Sequence, residues 1–201
     1  MKARFAYGVL IVVMLSLASA SSAQESAAAS PLEIAVTYSA QRAMSTGNNS
    51  FWLQGGTIEL HHRFYRGLGA VASVDGEHNA GNGVTTTPLN TVTAVFGPRY
   101  TISIDKDRIA FFGEGLIGEV NGFYSSFPSG SGSSAIPTNG TSSSANGFAL
   151  KVGGGVDLRL GRHLAFRPVQ ASWLRTQLPN GSSNKQDTMQ LGAGMVFRFG
   201  R

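Results

Sequence analysis

From Phe148 to Leu160 every second residue is apolar or glycine: Phe148, Leu150, Val152, Gly154, Val156, Leu158 and Leu160. The positions between them are Ala149, Lys151, Gly153, Gly155, Asp157 and Arg159. Successive side chains on a strand point to opposite faces, so the pattern predicts a strand with one greasy face and one polar face. A period of two held over this length excludes a helix.

The alternation recurs along the chain. Leu32, Ile34, Val36 and Tyr38 alternate with Glu33, Ala35, Thr37 and Ser39. Ile58, Leu60 and Phe64 face away from Thr57, Glu59, His61 and Arg63, and Leu68 to Val74 alternates with Gly69 to Asp75. Val92, Ala94, Phe96, Pro98 and Tyr100 oppose Thr93, Val95, Gly97, Arg99 and Thr101. Met189, Leu191, Ala193, Met195, Phe197 and Phe199 oppose Thr188, Gln190, Gly192, Gly194, Val196 and Arg198. A fifth strand is placed near Ile109 to Gly122 and a seventh over Leu164 to Gln177. The fifth is irregular, because Glu114 and Glu119 have opposite parity; a bulge, or a Glu119 beyond a membrane edge, would accommodate both.

These eight strands are joined alternately by long polar loops (41–50, 76–88, 123–146 and 178–186) and by tight turns at Tyr65-Arg66-Gly67, Asp105-Lys106-Asp107 and Gly161-Arg162-His163. Long loops at one end and short turns at the other is the asymmetry of outer-membrane barrels. Charge supply decides which face is outside. Only 13% of residues are Asp, Glu, Lys or Arg, about half the share usual in soluble domains. Too few charges are present to coat a soluble exterior. Turned inward, Arg63, Arg99, Lys151, Arg159 and Arg198 can neutralise Glu33, Glu59, Asp75, Glu114 and Asp157, with Lys151 and Glu114 expected to be coupled. Aromatics gather toward the strand ends, with Phe64, Tyr65, Tyr100, Phe111, Phe112, Phe166, Phe197 and Phe199 at the short-turn end and Tyr38, Phe51, Trp52, Phe123, Tyr124, Phe148 and Trp173 at the long-loop end. Two such groups suit girdles at the two membrane interfaces. The predicted fold is all-β: an eight-stranded antiparallel up-and-down transmembrane β-barrel.

Before the barrel, Lys2 and Arg4 precede an apolar run to Leu17 and small residues ending in Ala20 and Ala23. This is the layout of an export leader, expected to be cut after Ala23, with Ala20 the other site. Residues 1–23 are therefore assigned as signal peptide, 24–31 as a flexible lead-in and 32–200 as the barrel. Two of the cations behind the formal charge of +5 fall in the leader, and no basic cluster points to nucleic acid. The chain has no cysteine, which excludes disulfides, thiolate metal sites and a lipid-modified cysteine at the cut.

The chain resembles the small eight-stranded outer-membrane β-barrels, namely the outer membrane protein A-like transmembrane domain and opacity-type barrels. The likeness runs from Leu32 to Phe199 and is sharpest at Gly194-Met195-Val196-Phe197-Arg198-Phe199. That end is similar to the aromatic-ending signal read by the barrel assembly machinery, although Gly200 and Arg201 follow the last aromatic. No peptidoglycan-binding domain is expected after it.

Candidate chemistry is sparse, and no catalytic residue, cofactor or metal is predicted. His61 and His62 are adjacent on a strand, so they point to opposite faces and cannot chelate one ion; His61 is expected near Glu59 in the lumen. Asp75, Glu77 and His78 lack a partner at metal-ligand spacing. Val152-Gly153-Gly154-Gly155 has no lysine or helix start after it and is expected to leave room inside the barrel. A lipid-modifying enzyme would need a serine, a histidine and an acid at the outer end, whereas His62 has lipid-face parity at the other end. The expected role is a monomeric structural or surface-interacting barrel in outer-membrane lipid, with a filled polar lumen and loops presented to an extracellular ligand. The alternatives are a lipid A deacylase-like enzyme, a weak ion channel and a lipocalin-like exported carrier.

Overall fold

A computed structural model of the chain describes residues 32–44, 50–79, 89–104, 108–128, 141–179 and 184–199. Eight strands run through them: β1 (Leu32–Met44), β2 (Ser50–Tyr65), β3 (Leu68–Asn79), β4 (Leu89–Ile104), β5 (Ile109–Pro128), β6 (Thr141–Arg159), β7 (Leu164–Thr176) and β8 (Gln186–Phe199). Each pairs antiparallel with its sequence neighbours, and β1 pairs with β8 from Leu32 opposite Phe199 to Ala43 opposite Thr188, closing the barrel. No edge is left, as spanning a bilayer with strands requires.

The pleat delivers the predicted two faces. Through β3 burial alternates residue by residue, with Val71, Ser73, Asp75 and Glu77 inside and Val74 half exposed outside. Tyr38, Ile58, Phe96 and Leu160 are each about 60% exposed, at 60%, 60%, 58% and 64%. By contrast, Glu59, Arg99, Lys151 and Arg167 are at most 2% exposed. This is a soluble protein turned inside out. The turn between β2 and β3 places Arg66 and Gly67 at φ 36° and 91°, the two-residue geometry whose twist suits a hairpin. A Cβ on Gly67 would come within 2.4 Å of the Thr101 carbonyl oxygen, so only glycine fits there.

The strands outrun the lengths expected at the loop end. Residues 41–44, 76–79, 123–128 and 141–146 continue the ladder rather than forming loops. The remainder of the four loops, the leader, and the Asp105-Lys106-Asp107 turn lie outside the described residues. β5 carries no bulge between Glu114 and Glu119: its registers with β4 and β6 run unbroken through both residues. Glu119 consequently points outward near the loop end, the second of the two arrangements considered. A bulge that does re-aim lumen residues lies in β7, where one extra residue around Pro168 shifts the register between Phe166 and Val169 against β6 and between Arg167 and Gln170 against β8.

Candidate functional site

The lumen is filled in tiers, each built where inward residues of neighbouring strands meet. At the short-turn end, β1 places Glu33 opposite His61 of β2 and Arg198 of β8. His61 Nδ1 lies 3.0 Å from Glu33 Oε2, Arg198 Nε 3.0 Å from Oε1 and an Arg63 nitrogen 3.7 Å from Oε1. His61 thus joins Glu33 rather than Glu59.

The middle tier is the densest. Arg99 donates to Glu59 at 2.6 Å and, through Nε, to Glu114 at 2.8 Å. Arg167 donates to Glu59 at 2.7 Å and to both oxygens of Asp157 at 2.7 and 3.2 Å. Gln170 completes Glu59 with a donated bond of 2.6 Å. Phe112 lies inward between the two guanidiniums, each 4.3 Å from its ring centre. Gly155 makes this possible, since a Cβ there would fall 2.8 and 2.9 Å from the Phe112 ring. Stacking on an aromatic face adds to the pairing and fixes both guanidinium planes.

One tier farther out, Lys151 donates to both oxygens of Asp75 at 2.9 and 3.1 Å, and Thr57 donates to Asp75 at 2.5 Å. Above that, Glu77 accepts from Ser39 at 2.7 Å and Gln190 at 2.9 Å. A cavity of about 10 Å³ lies among Thr37, Ser39, Thr57, Gln170, Ser172, Gln190 and Gly192, room for about one water. The opposite side of the lumen is apolar, packed by Val71, Val95, Leu116, Val120, Ala149, Leu174 and Leu178.

Three sequence expectations need correction. Arg159 is not in the lumen: it is exposed beside the β6–β7 turn, its Nε donating to the Gly161 carbonyl at 3.2 Å. The cation that binds Asp157 is Arg167, which strand parity missed because the Pro168 bulge changes the phase of β7. Lys151 pairs with Asp75, not Glu114, whose cation is Arg99. Phe112 likewise leaves the short-turn girdle, since it and Phe111 are adjacent and only Phe111 faces out.

The outer surface is the other half of the site. Phe64, Tyr100, Phe166, Phe197 and Phe199 face outward toward the short-turn end, while Trp52, Phe148 and Trp173 do so toward the loop end. Between them the exterior is Val36, Ile58, Val74, Phe96, Ile117, Val152 and Leu191. Polar outward residues begin again at Arg42, His78, Asn90, Glu119 and Arg175. Arg42 lies ten positions beyond Leu32 on β1. At a rise of about 3.3 Å per residue and a tilt of about 40°, that separates them by about 25 Å, the height of an outer-membrane apolar band.

The outer membrane protein beta-barrel domain family matches residues 10–199. None of the curated proteins matches the chain. Among solved structures, it is similar to the attachment invasion locus protein Ail of Yersinia pestis, at 18% identity and TM-score 0.54 over 85% of this chain and 99% of Ail. Ail in complex with the heparin analogue sucrose octasulfate gives 19% identity, the same TM-score of 0.54 and the same coverage of 85% and 99%. Neisserial surface protein A gives 13% identity and TM-score 0.59 over 84% of this chain and 97% of that one. With an inverted, closed eight-stranded barrel and a family match along nearly its whole length, the chain belongs to the outer membrane protein beta-barrel domain family and is an outer-membrane protein.

Proposed function

We propose that the protein is a surface-interaction barrel: a monomer, delivered by a cleaved leader and inserted by the barrel assembly machinery, whose sealed interior supports four outward loops. The observation that carries this is the middle tier. Arg99, Arg167, Glu59 and Phe112 cross the lumen in mutual contact, all at most 7% exposed, which favours a rigid stand over a diffusion pore. The ion pairs of the tiers and the two outward aromatic groups serve that stand, the first by neutralising charge away from water and the second by anchoring it at the two interfaces. β5 and β6, of 20 and 19 residues, are the longest strands and extend past the polar rim. The sequence that joins them, residues 129–140, is rich in Ser, Gly and Thr, and its hydroxyls suit a hydrogen-bonding glycan or protein surface. Ail, crystallised with a sulfated sugar analogue, is a fold relative consistent with such a role.

The role proposed is non-enzymatic; at the outer rim His78 sits opposite Gln54 of β2 and Asn90 of β4 and is bonded to Asn90 at 2.6 Å. The test compares cells displaying the full chain with cells displaying a form lacking residues 129–140, assayed for retention on sulfated-glycan and matrix-protein surfaces. Loss of retention with an unchanged barrel, judged by faster gel migration of unboiled samples, is expected. Equal retention of both, or of neither, contradicts a surface-interaction role through this loop.

A further inference from the structure

The charges inside the barrel do not balance. Beyond the Glu33 tier the buried carboxylates are Glu59, Asp75, Glu77, Glu114 and Asp157, and the buried cations are Arg99, Lys151 and Arg167. The Glu33 tier leans the other way by one, because Arg63 and Arg198 both pair with that single carboxylate. With His61 neutral, the described lumen as a whole lacks one positive charge. Glu77 is the carboxylate left over. It is 5% exposed, its Oε1 accepts from Ser39 and Gln190, and its Oε2 has no hydrogen-bond partner. Lys151 is held instead by both oxygens of Asp75.

The water-sized cavity of the lumen lies among residues that bond three of these carboxylates. In its wall, Thr57 donates its hydroxyl hydrogen to Asp75, Ser39 to Glu77 and Ser172 to Gln190. A hydroxyl has one hydrogen, so these three have only lone pairs left to offer the cavity. Gln170 and Gln190 turn amide nitrogens to Glu59 and Glu77. The fourth hydroxyl of the wall, Thr37, is 2% exposed and its Oγ1 has no partner. A water placed there brings hydrogens for two of these oxygens and no charge. We infer that the cavity binds one dehydrated monovalent alkali cation, held by the hydroxyl oxygens of Thr37, Ser39, Thr57 and Ser172 and compensating Glu77, one hydrogen bond away through Ser39. Hard cations take oxygen ligands, and room for one water is room for one such ion. The wall itself contains no carboxylate, which suits a single rather than a double positive charge. Bound there, the ion stabilises the closure of β1 on β8, since its ligands come from β1, β2 and β7 and Gly192 of β8 completes the wall. The site depends on the interior of the barrel alone and is independent of what the loops bind.

The test is urea unfolding of the full chain in phosphatidylcholine vesicles, with sodium or potassium chloride replacing choline chloride at constant total salt. Choline is too large for the cavity. With sodium or with potassium, the folded-to-unfolded ratio is expected to rise about tenfold for each tenfold rise in cation once the site is filled, the linkage of one ion bound by the folded state alone. Glu77→Gln is expected to abolish the rise. Thr37→Val, which loses one ligand, should move it to about tenfold higher cation. Glu119→Gln removes an outward carboxylate at the rim and should titrate like the native chain. No dependence on either cation would overturn the proposal and leave Glu77 neutralised by a proton. An equal rise in the native chain and in Glu77→Gln, the mark of a general salt effect, would overturn it too. If Glu77→Gln fails to fold, the native chain still decides the matter: one alkali cation per chain should survive desalting and be released on boiling, and none refutes the site.

Discussion

Replacing Arg167 by methionine removes the most connected cation of the lumen without removing much volume. The lost contacts are the paired bonds to Asp157, one to Glu59, one to Gln170 and the stack on Phe112. They are not equivalent. Glu59 keeps Arg99 and the Gln170 amide, so its charge remains compensated. Asp157 is 4% exposed, and Arg167 is the cation paired with it. Leaving one buried charge unpaired costs about 3–5 kcal/mol, two to nearly four powers of ten in the folded-to-unfolded ratio at about 1.4 kcal/mol per tenfold. Arg167→Met with Asp157→Leu removes both members and should recover at least about 1.5 kcal/mol of the summed single losses. The assay is reversible urea unfolding in lipid vesicles, followed by tryptophan fluorescence and by gel mobility of unboiled samples. Arg159→Gln, in the turn, should stay within about 0.5 kcal/mol of the native chain. Additivity of the Arg167 and Asp157 changes within about 0.5 kcal/mol, or an Arg159 effect as large as that of Arg167, would refute the tiered lumen.

Three further outcomes follow from the same geometry. Gly155→Ala brings a methyl to 2.6 Å from the Val169 carbonyl oxygen and 2.8 Å from the Phe112 ring, and should cost about 1–3 kcal/mol; Gly115→Ala meets nothing within 4 Å and serves as the control in the same unfolding assay. In double-mutant cycles Lys151→Met should couple to Asp75→Leu by about 1–3 kcal/mol and be additive with Glu114→Leu; coupling to Glu114 alone would contradict the observed pairing. Ile58→Arg, mid-band on the exterior, should cost about 2–4 kcal/mol in vesicles, against about 0–1 for Glu119→Arg at the rim; equal costs would contradict the depth assigned to them.

The period of two made the fold legible, because a barrel with lipid outside and charge inside writes its cross-section into alternate residues. Six of the strands carry that rhythm without interruption at their centres, β5 being blurred by its inward Phe112, Leu116 and Val120 and β7 broken at Pro168, and the tight turns announce themselves through Arg66-Gly67 and Gly161. The site was legible only where the phase holds. Glu33, Glu59, Arg63, Arg99, Glu114, Lys151, Asp157 and Arg198 all lie inward by simple parity. Arg167 was hidden by one inserted residue. Pro168, which has no amide hydrogen to give the ladder, was the available sign that the phase changes there. Arg159 shows the converse: parity fixes direction within a strand but not where the lumen ends. Partners were harder still to read. Which carboxylate meets Lys151 depends on stagger around the barrel, and β3 reaches it across the lumen rather than along a neighbouring strand. Phe111-Phe112 needed only the rule that neighbours on a strand oppose one another, with Gly155 marking the space for the inward ring.

Whether the apolar exterior meets hydrocarbon is tested most directly by oxygen accessibility of nitroxide labels placed singly, through cysteine, at residues 56 to 61 of β2 in reconstituted vesicles. Labels at 58 and 60 should be far more accessible to lipid-dissolved oxygen than those at 57, 59 and 61, in strict alternation, and should be shielded from a water-soluble nickel reagent. A flat profile, or nickel reaching 58 and 60 while the protein remains folded, would contradict a barrel with its greasy face in the membrane.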